Sequence, residues 1–184
     1  MIEPLFIATE RFDSSDGEAW RKYFEWAKIP ALTEVVGLDG SLCNPVIAEI
    51  LDEDWNHIVI ADYQSRYFYH LDYLLKRVQS VKRRNILGLY QNPETHIVTA
   101  PAKVGFEFLG YELIEEQTHI SALTNCSGFP EAFRNEELNS FGLIYNFDRA
   151  IEIKRILSEK YPEESHADCE MYAIWRLEEN LKHD

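Results

Sequence analysis

The sequence predicts a single α+β domain over residues 1–184, with helices packed on a mixed, mainly antiparallel sheet. Three observations predict it. Strand-like stretches stand before and after the helical ones, without the strict β-α-β alternation of a parallel sheet. The densest strand signal lies in mid-chain, at residues 104–128 (VGFEFLGYELIEEQTHISALTNCSG). No linker rich in Gly, Pro or Ser divides the chain, and no internal repeat is present. A three-layer α/β arrangement is the alternative reading of the same pattern.

Residues 4–9 (PLFIAT) form a short strand. Ser15-Asp16-Gly17-Glu18 is a capping-box sequence, in which Ser15 accepts from the Glu18 amide and Glu18 reaches back. The helix it opens carries Trp20, Tyr23, Phe24 and Ala27 on one apolar face, with Trp26 outside the stripe. Core packing is the expected use of such a stripe. Residues 33–38 are a candidate strand and Asp39-Gly40 a turn. Asn44-Pro45 is placed to cap and start a short helix bearing Val46, Ile47 and Ile50.

Asp52-Glu53-Asp54 reads as a solvated acidic turn, since adjacent carboxylates point in different directions and do not space themselves as cation ligands. Residues 62–81 read as the longest helix, with Tyr67, Phe68, Leu71, Leu74, Leu75 and Val78 as its stripe. Lys76, Arg77, Lys82, Arg83 and Arg84 gather at its C-terminal end, where cations suit the helix dipole.

Residues 85–90 (NILGLY) form a strand, and Pro101 makes 95–102 a loop or an edge strand. Residues 104–128 read as a hairpin whose second arm is 119–124. Phe106 and Phe108 share one parity, Tyr111 and Leu113 the other. A bulge at Gly110 returns all four to one face. Short helical turns are expected within 131–143. A helix follows over 147–161, capped by Asn146 or Asp148 and stopped by Pro162. Residues 169–177 alternate: Cys169, Met171, Ala173, Trp175 and Leu177 face the core, and a polar, fraying tail follows from Glu178.

Composition narrows the function classes. The hydrophobic content is 46% and the aromatic content 13%, a globular rather than a disordered balance. No apolar run is long enough to span a bilayer, and the first residues lack the basic leader of a signal peptide. Three cysteines, an odd number, point to a reducing cytosol rather than a disulfide framework. The formal net charge of −14 disfavours nucleic acid and anionic membranes and suits a basic protein partner, besides serving solubility.

No nucleophile elbow, Walker loop, dinucleotide fingerprint or zinc-protease motif is present, so no cofactor is expected. Cys126, His166 and Cys169 are the one grouping of nucleophile or metal-ligand type. They converge if the ends of the mid-chain hairpin and the last strand are neighbours, with His119 in reach. Zinc would need a fourth ligand and tighter spacing. Glu115 or Glu116 with Asp168 would make a carboxylate pair, but 32 acidic residues supply such pairs by chance. The reading that follows is an acidic, cytosolic protein-binding module, such as an immunity or antitoxin protein that neutralises a basic toxin domain. Its alternative is a small cysteine- or metal-dependent hydrolase using Cys126 and His166.

Overall fold

The computed structural model describes residues 3–61, 66–97, 99–102, 105–126 and 128–178. Its spine is strand β8 (Cys169–Leu177), with the limits its alternation predicts. β8 lies between β6 (Arg84–Gln91) and β7 (Phe106–Glu115), antiparallel to both. On the far side of β6 lies β1 (Leu5–Glu10), followed by β5 (Arg66–Phe68) and then β4 (Ile58–Ala61). These six strands form one antiparallel sheet in the order β4-β5-β1-β6-β8-β7. A separate two-residue ladder joins β2 (Phe12–Asp13) to β3 (Glu34–Val35).

Both faces of the sheet are covered, so the central strands are buried along most of their length. On one face, Cys169, Met171, Ala173 and Trp175 of β8 join Tyr111 and Leu113 of β7. Helix α3 (Phe147–Lys160) lays Ala150, Ile153 and Leu157 on them. Further along the same face, Phe6, Ala8 and Ile86 pack on Leu74 and Val78, in and just beyond helix α2 (Leu71–Arg77). Helix α1 (Glu18–Ala27) adds Ala27 to the α3 cluster. The opposite face, with Leu87, Leu89, Leu109, Tyr172 and Ile174, is covered by Val36, Leu38 and Leu143 from irregular segments. Helices on one face of an antiparallel sheet make this an α+β domain rather than a three-layer α/β one.

α3 starts where its cap predicts: Asn146 Oδ1 accepts the Arg149 N–H at 2.9 Å. β7 carries the expected bulge, its register against β8 shifting between Phe108 and Gly110. Phe106, Phe108, Tyr111 and Leu113 thereby all reach the α3-side cluster. Gly110 has φ +146°, and a Cβ there would lie 2.8 Å from Leu143 Cβ and 3.0 Å from Ile144 O. Gly110→Ala therefore combines backbone strain with a clash against a bridging strand segment. It is expected to cost roughly 2 kcal/mol or more in urea denaturation, and a loss under about 0.5 kcal/mol would refute this account.

Several expectations are corrected. Residues 62–81 are not one helix: β4 and β5 pair as antiparallel neighbours, residues 62–65 lie outside the described set, and α2 begins only at Leu71. Tyr67 and Phe68 are fully buried strand residues on opposite faces. Residues 119–124 are not a second hairpin arm. β7 is the edge strand, and on its open side this segment makes a single bridge, Ile114 to Ser121, before turning away, while Tyr111 bridges Ile144.

Ser15 does not cap α1, because its hydroxyl donates to the Asp13 carboxylate and Gly17 occupies the cap position. No helix forms at Asn44-Pro45. Glu10 N–H donates to Asn44 O and Val46 N–H to Ala8 O, which extends the edge of β1 instead. The 33–38 strand shrinks to Glu34–Val35. The segment 95–102 is a loop in its described part, and Pro101 sits against Gly88 of β6. Asp54 of the acidic triplet is fully buried. The tail beyond Glu178 lies outside the described residues. Among those described, no helix is long and apolar enough to cross a membrane.

Candidate functional site

Cys126 and His166 meet. Pairing of Glu115 with Cys169 sets the end of β7 beside the start of β8, and a 3-10 turn, Ser165–Asp168, carries His166 over that edge. After β7, Glu115 N–H donates to Ile120 O and Ala122 N–H to Leu113 O, which folds the chain back along the same edge. The buried Asp39 fastens this return. Its Oδ2 accepts the Ser121 N–H at 2.7 Å and Asn125 Nδ2 at 3.0 Å, while Oδ1 accepts the Ser41 and Leu42 amides. Cys126 follows directly.

Its Sγ lies 3.2 Å from His166 Nε2. The imidazole is buried against the Phe129 ring, centroids 5.3 Å apart. Cys169, on the core face of β8, donates its thiol to the His166 carbonyl at 2.9 Å. All three side chains are thus brought together, although Cys126 follows a turn rather than a hairpin strand. His119 occupies the β7 exit turn at φ 53°, its carbonyl accepting from Gly40 N–H. Glu115 is bound by Gln117 N–H, Thr118 N–H and the Thr118 hydroxyl, whereas Glu116 and Asp168 are exposed.

The geometry is that of a nucleophile and a base, but the electrostatics oppose charge separation. Burial pushes the Cys126 thiol up, and the Asp39, Glu164 and Glu115 carboxylates push it further. Burial also holds His166 below the usual imidazole range, against the pull of those same carboxylates. The resting pair is therefore a neutral thiol beside a neutral imidazole. His166 Nδ1 has Ser165 Oγ at 3.4 Å, a weak orienting partner in place of a carboxylate. Cys169 is pushed up to about 12 by burial and is chemically quiet. Among the described residues, no group of three or more His, Cys, Asp or Glu side chains could hold a metal ion.

Cys126 also lines a groove of about 580 Å³, together with Trp26, Lys28, Phe129, Phe133 and Arg134. Sequence reasoning did not find this groove. It exists because the C-terminal end of α1 docks on residues 129–136, where Asn135 Nδ2 donates to Ala27 O at 2.9 Å. No local pattern encodes that contact. Comparison with family models, curated proteins and solved structures finds no significant match for this chain.

Proposed function

We propose that the protein is an acidic binding module for a basic protein domain, in the manner of an immunity protein that neutralises a basic toxin such as a nuclease. The observation that carries this reading is an aromatic surface set among carboxylates on a chain of net charge −14. Trp55 is 60% exposed and Tyr69 46% exposed, and Tyr69 N–H donates to His57 O, which joins the two segments. Asp52, Glu53 and Asp72 are exposed on those same segments. Rigid aromatic anchors give binding energy, and surrounding carboxylates steer and select a cationic partner.

The test is titration of the purified protein with the products of the genes flanking its own, at low and at physiological salt. A basic product is expected to bind, with affinity falling as salt rises. Trp55→Ala should weaken that complex about tenfold or more. Failure of every flanking product to bind, or an affinity indifferent to both salt and Trp55→Ala, would overturn the reading.

A second reading, a cysteine-dependent hydrolase, is favoured by the 3.2 Å contact between Cys126 and His166 and by the groove beside it. Alkylation decides between the two. With a neutral thiol, Cys126 should react with iodoacetamide slowly at neutral pH and faster only as the pH climbs above about 8.5. Cys43 and Cys169, both buried, should react only on unfolding. A Cys126 rate with an apparent pKa well below that value, abolished by His166→Ala, would establish the nucleophile and promote the hydrolase.

A further inference from the structure

We propose that the groove beside Cys126 is a binding site for a small amphipathic anion, an aryl or alkyl carboxylate, distinct from the surface that would engage a basic protein. Its volume of about 580 Å³ falls within the range of small-molecule sites. Ala27, Leu123, Phe129 and Phe133 give it apolar walls, all of them core residues. Trp26, outside the packing stripe of α1 and 48% exposed, stands at its side, its ring tilted against Tyr23.

The charges of the groove run against those of the molecule. Lys28 and Arg134 both line it, both are exposed, and among the described residues neither forms an ion pair. Several other cations are spent on carboxylates: Arg21, Arg77, Arg83, Arg149, Arg155 and Arg176 are each paired. Glu136 is the one carboxylate among the lining residues. The two cations are held on a common wall, because Asn135 Nδ2 donates to both Ala27 O and Lys28 O. Lys28 itself takes the left-handed backbone that ends α1, at φ 51°.

An orphan polar group adds a separate observation. Thr124, another lining residue, is only 5% exposed, and its Oγ1 has no hydrogen-bond partner. A buried hydroxyl without a partner costs free energy, so the groove wall carries an unsatisfied polar group. An apolar body on the aromatic walls, with a carboxylate between Lys28 and Arg134, satisfies the surface and the charges together. A cationic ligand would be repelled by Lys28 and Arg134, which outnumber the one lining carboxylate, Glu136, and a purely inorganic anion would leave the walls wet.

The probes are 1-naphthylacetate, its uncharged analogue 2-(1-naphthyl)ethanol, and acetate, each titrated into the full chain by calorimetry. 1-Naphthylacetate is expected to bind with a Kd below about 1 mM, the alcohol at least about tenfold more weakly, and acetate not measurably in that range. The Lys28→Glu/Arg134→Glu variant changes exposed residues only, and should lose about tenfold or more in naphthylacetate affinity. Saturating naphthylacetate should slow alkylation of Cys126 in the wild-type protein, because the ligand covers the thiol. Equal affinity for acid and alcohol, affinity unchanged by the double charge reversal, no binding at millimolar concentration, or an unprotected Cys126 would each overturn the site. None of these results depends on whether a basic protein partner binds at Trp55.

Discussion

Glu112→Gln is expected to stabilise the protein increasingly as the pH rises from about 5 to about 8, and to change little below that window. Glu112 is a β7 residue, 2% exposed, with its carboxyl under the backbone of Gly37 and Leu38. Leu38 N–H donates to its Oε2 at 2.7 Å. Burial pushes this carboxyl up to about 8, and the neighbouring Asp39 carboxylate adds to the effect. Hydrogen bonds from Leu38 and Ser121 offset only part of it.

The folded protein therefore keeps a proton on Glu112 that the unfolded chain releases near the ordinary glutamate value of 4.5. A raised folded pKa means that stability is fully present below the unfolded value. It is lost as pH rises through the window and levels off above the folded value. The shift corresponds to roughly 3–5 kcal/mol across the window. For a chain of this size that is on the order of 10 °C in Tm at pH 8. Glutamine keeps the acceptor for Leu38 N–H and cannot ionise, so the difference between the two Tm curves isolates the titration. Parallel curves from pH 5 to pH 9 would show that Glu112 does not titrate in this way.

Glu112 also marks what could be read from the sequence. It falls in the strand that carries the strongest local signal, and the parity break around Gly110 announced the bulge. β8 was legible to the residue because one of its faces alternates cleanly from Cys169 to Trp175. α3 was legible because Asn146 and Pro162 punctuate it. Residues 62–81 failed for a physical reason. Tyr67 and Phe68 belong to a three-residue strand buried on both faces, so no alternation shows, and their spacing to Leu71 and Leu74 imitates a helix. The supposed hairpin failed because residues 119–124 turn away after one bridge to the open edge of β7, whose full ladder runs to β8, more than fifty residues further along the chain. The meeting of Cys126 and His166 was foreseeable once the strand ends were neighbours. The cationic groove was not, since it depends on where α1 ends against residues 129–136.

The second large effect is expected at Asp54, where the sequence suggested a solvated acidic turn. The turn Asp52–Asn56 leaves Asp52 and Glu53 exposed and turns Asp54 fully inward. Its Oδ1 accepts the Tyr73 hydroxyl at 2.6 Å and Arg77 Nε at 2.9 Å, and its Oδ2 accepts Arg77 Nη2 at 3.0 Å and Leu51 N–H at 2.8 Å. Burial alone would raise this carboxyl, but the Tyr73 and Arg77 hydrogen bonds outweigh it and hold the group below the usual carboxylate range. A depressed folded pKa contributes stability above the unfolded value, and that stability is lost as pH falls through the folded one.

Asp54→Ala removes every acceptor at once. It leaves Arg77 and the Tyr73 hydroxyl without their buried partner, at an expected cost of about 3–5 kcal/mol near neutral pH. The companion variant separates charge from packing. Asp54→Leu with Arg77→Met removes both charges and fills similar volume, so it should recover much of the loss, as buried pairs replaced by apolar side chains do. Urea denaturation of the two single variants and the double variant gives the coupling directly. A double variant as unstable as the sum of the singles would mean that Asp54 and Arg77 act independently. The turn below Trp55 would then be held by the Leu51 and Tyr73 hydrogen bonds rather than by the ion pair.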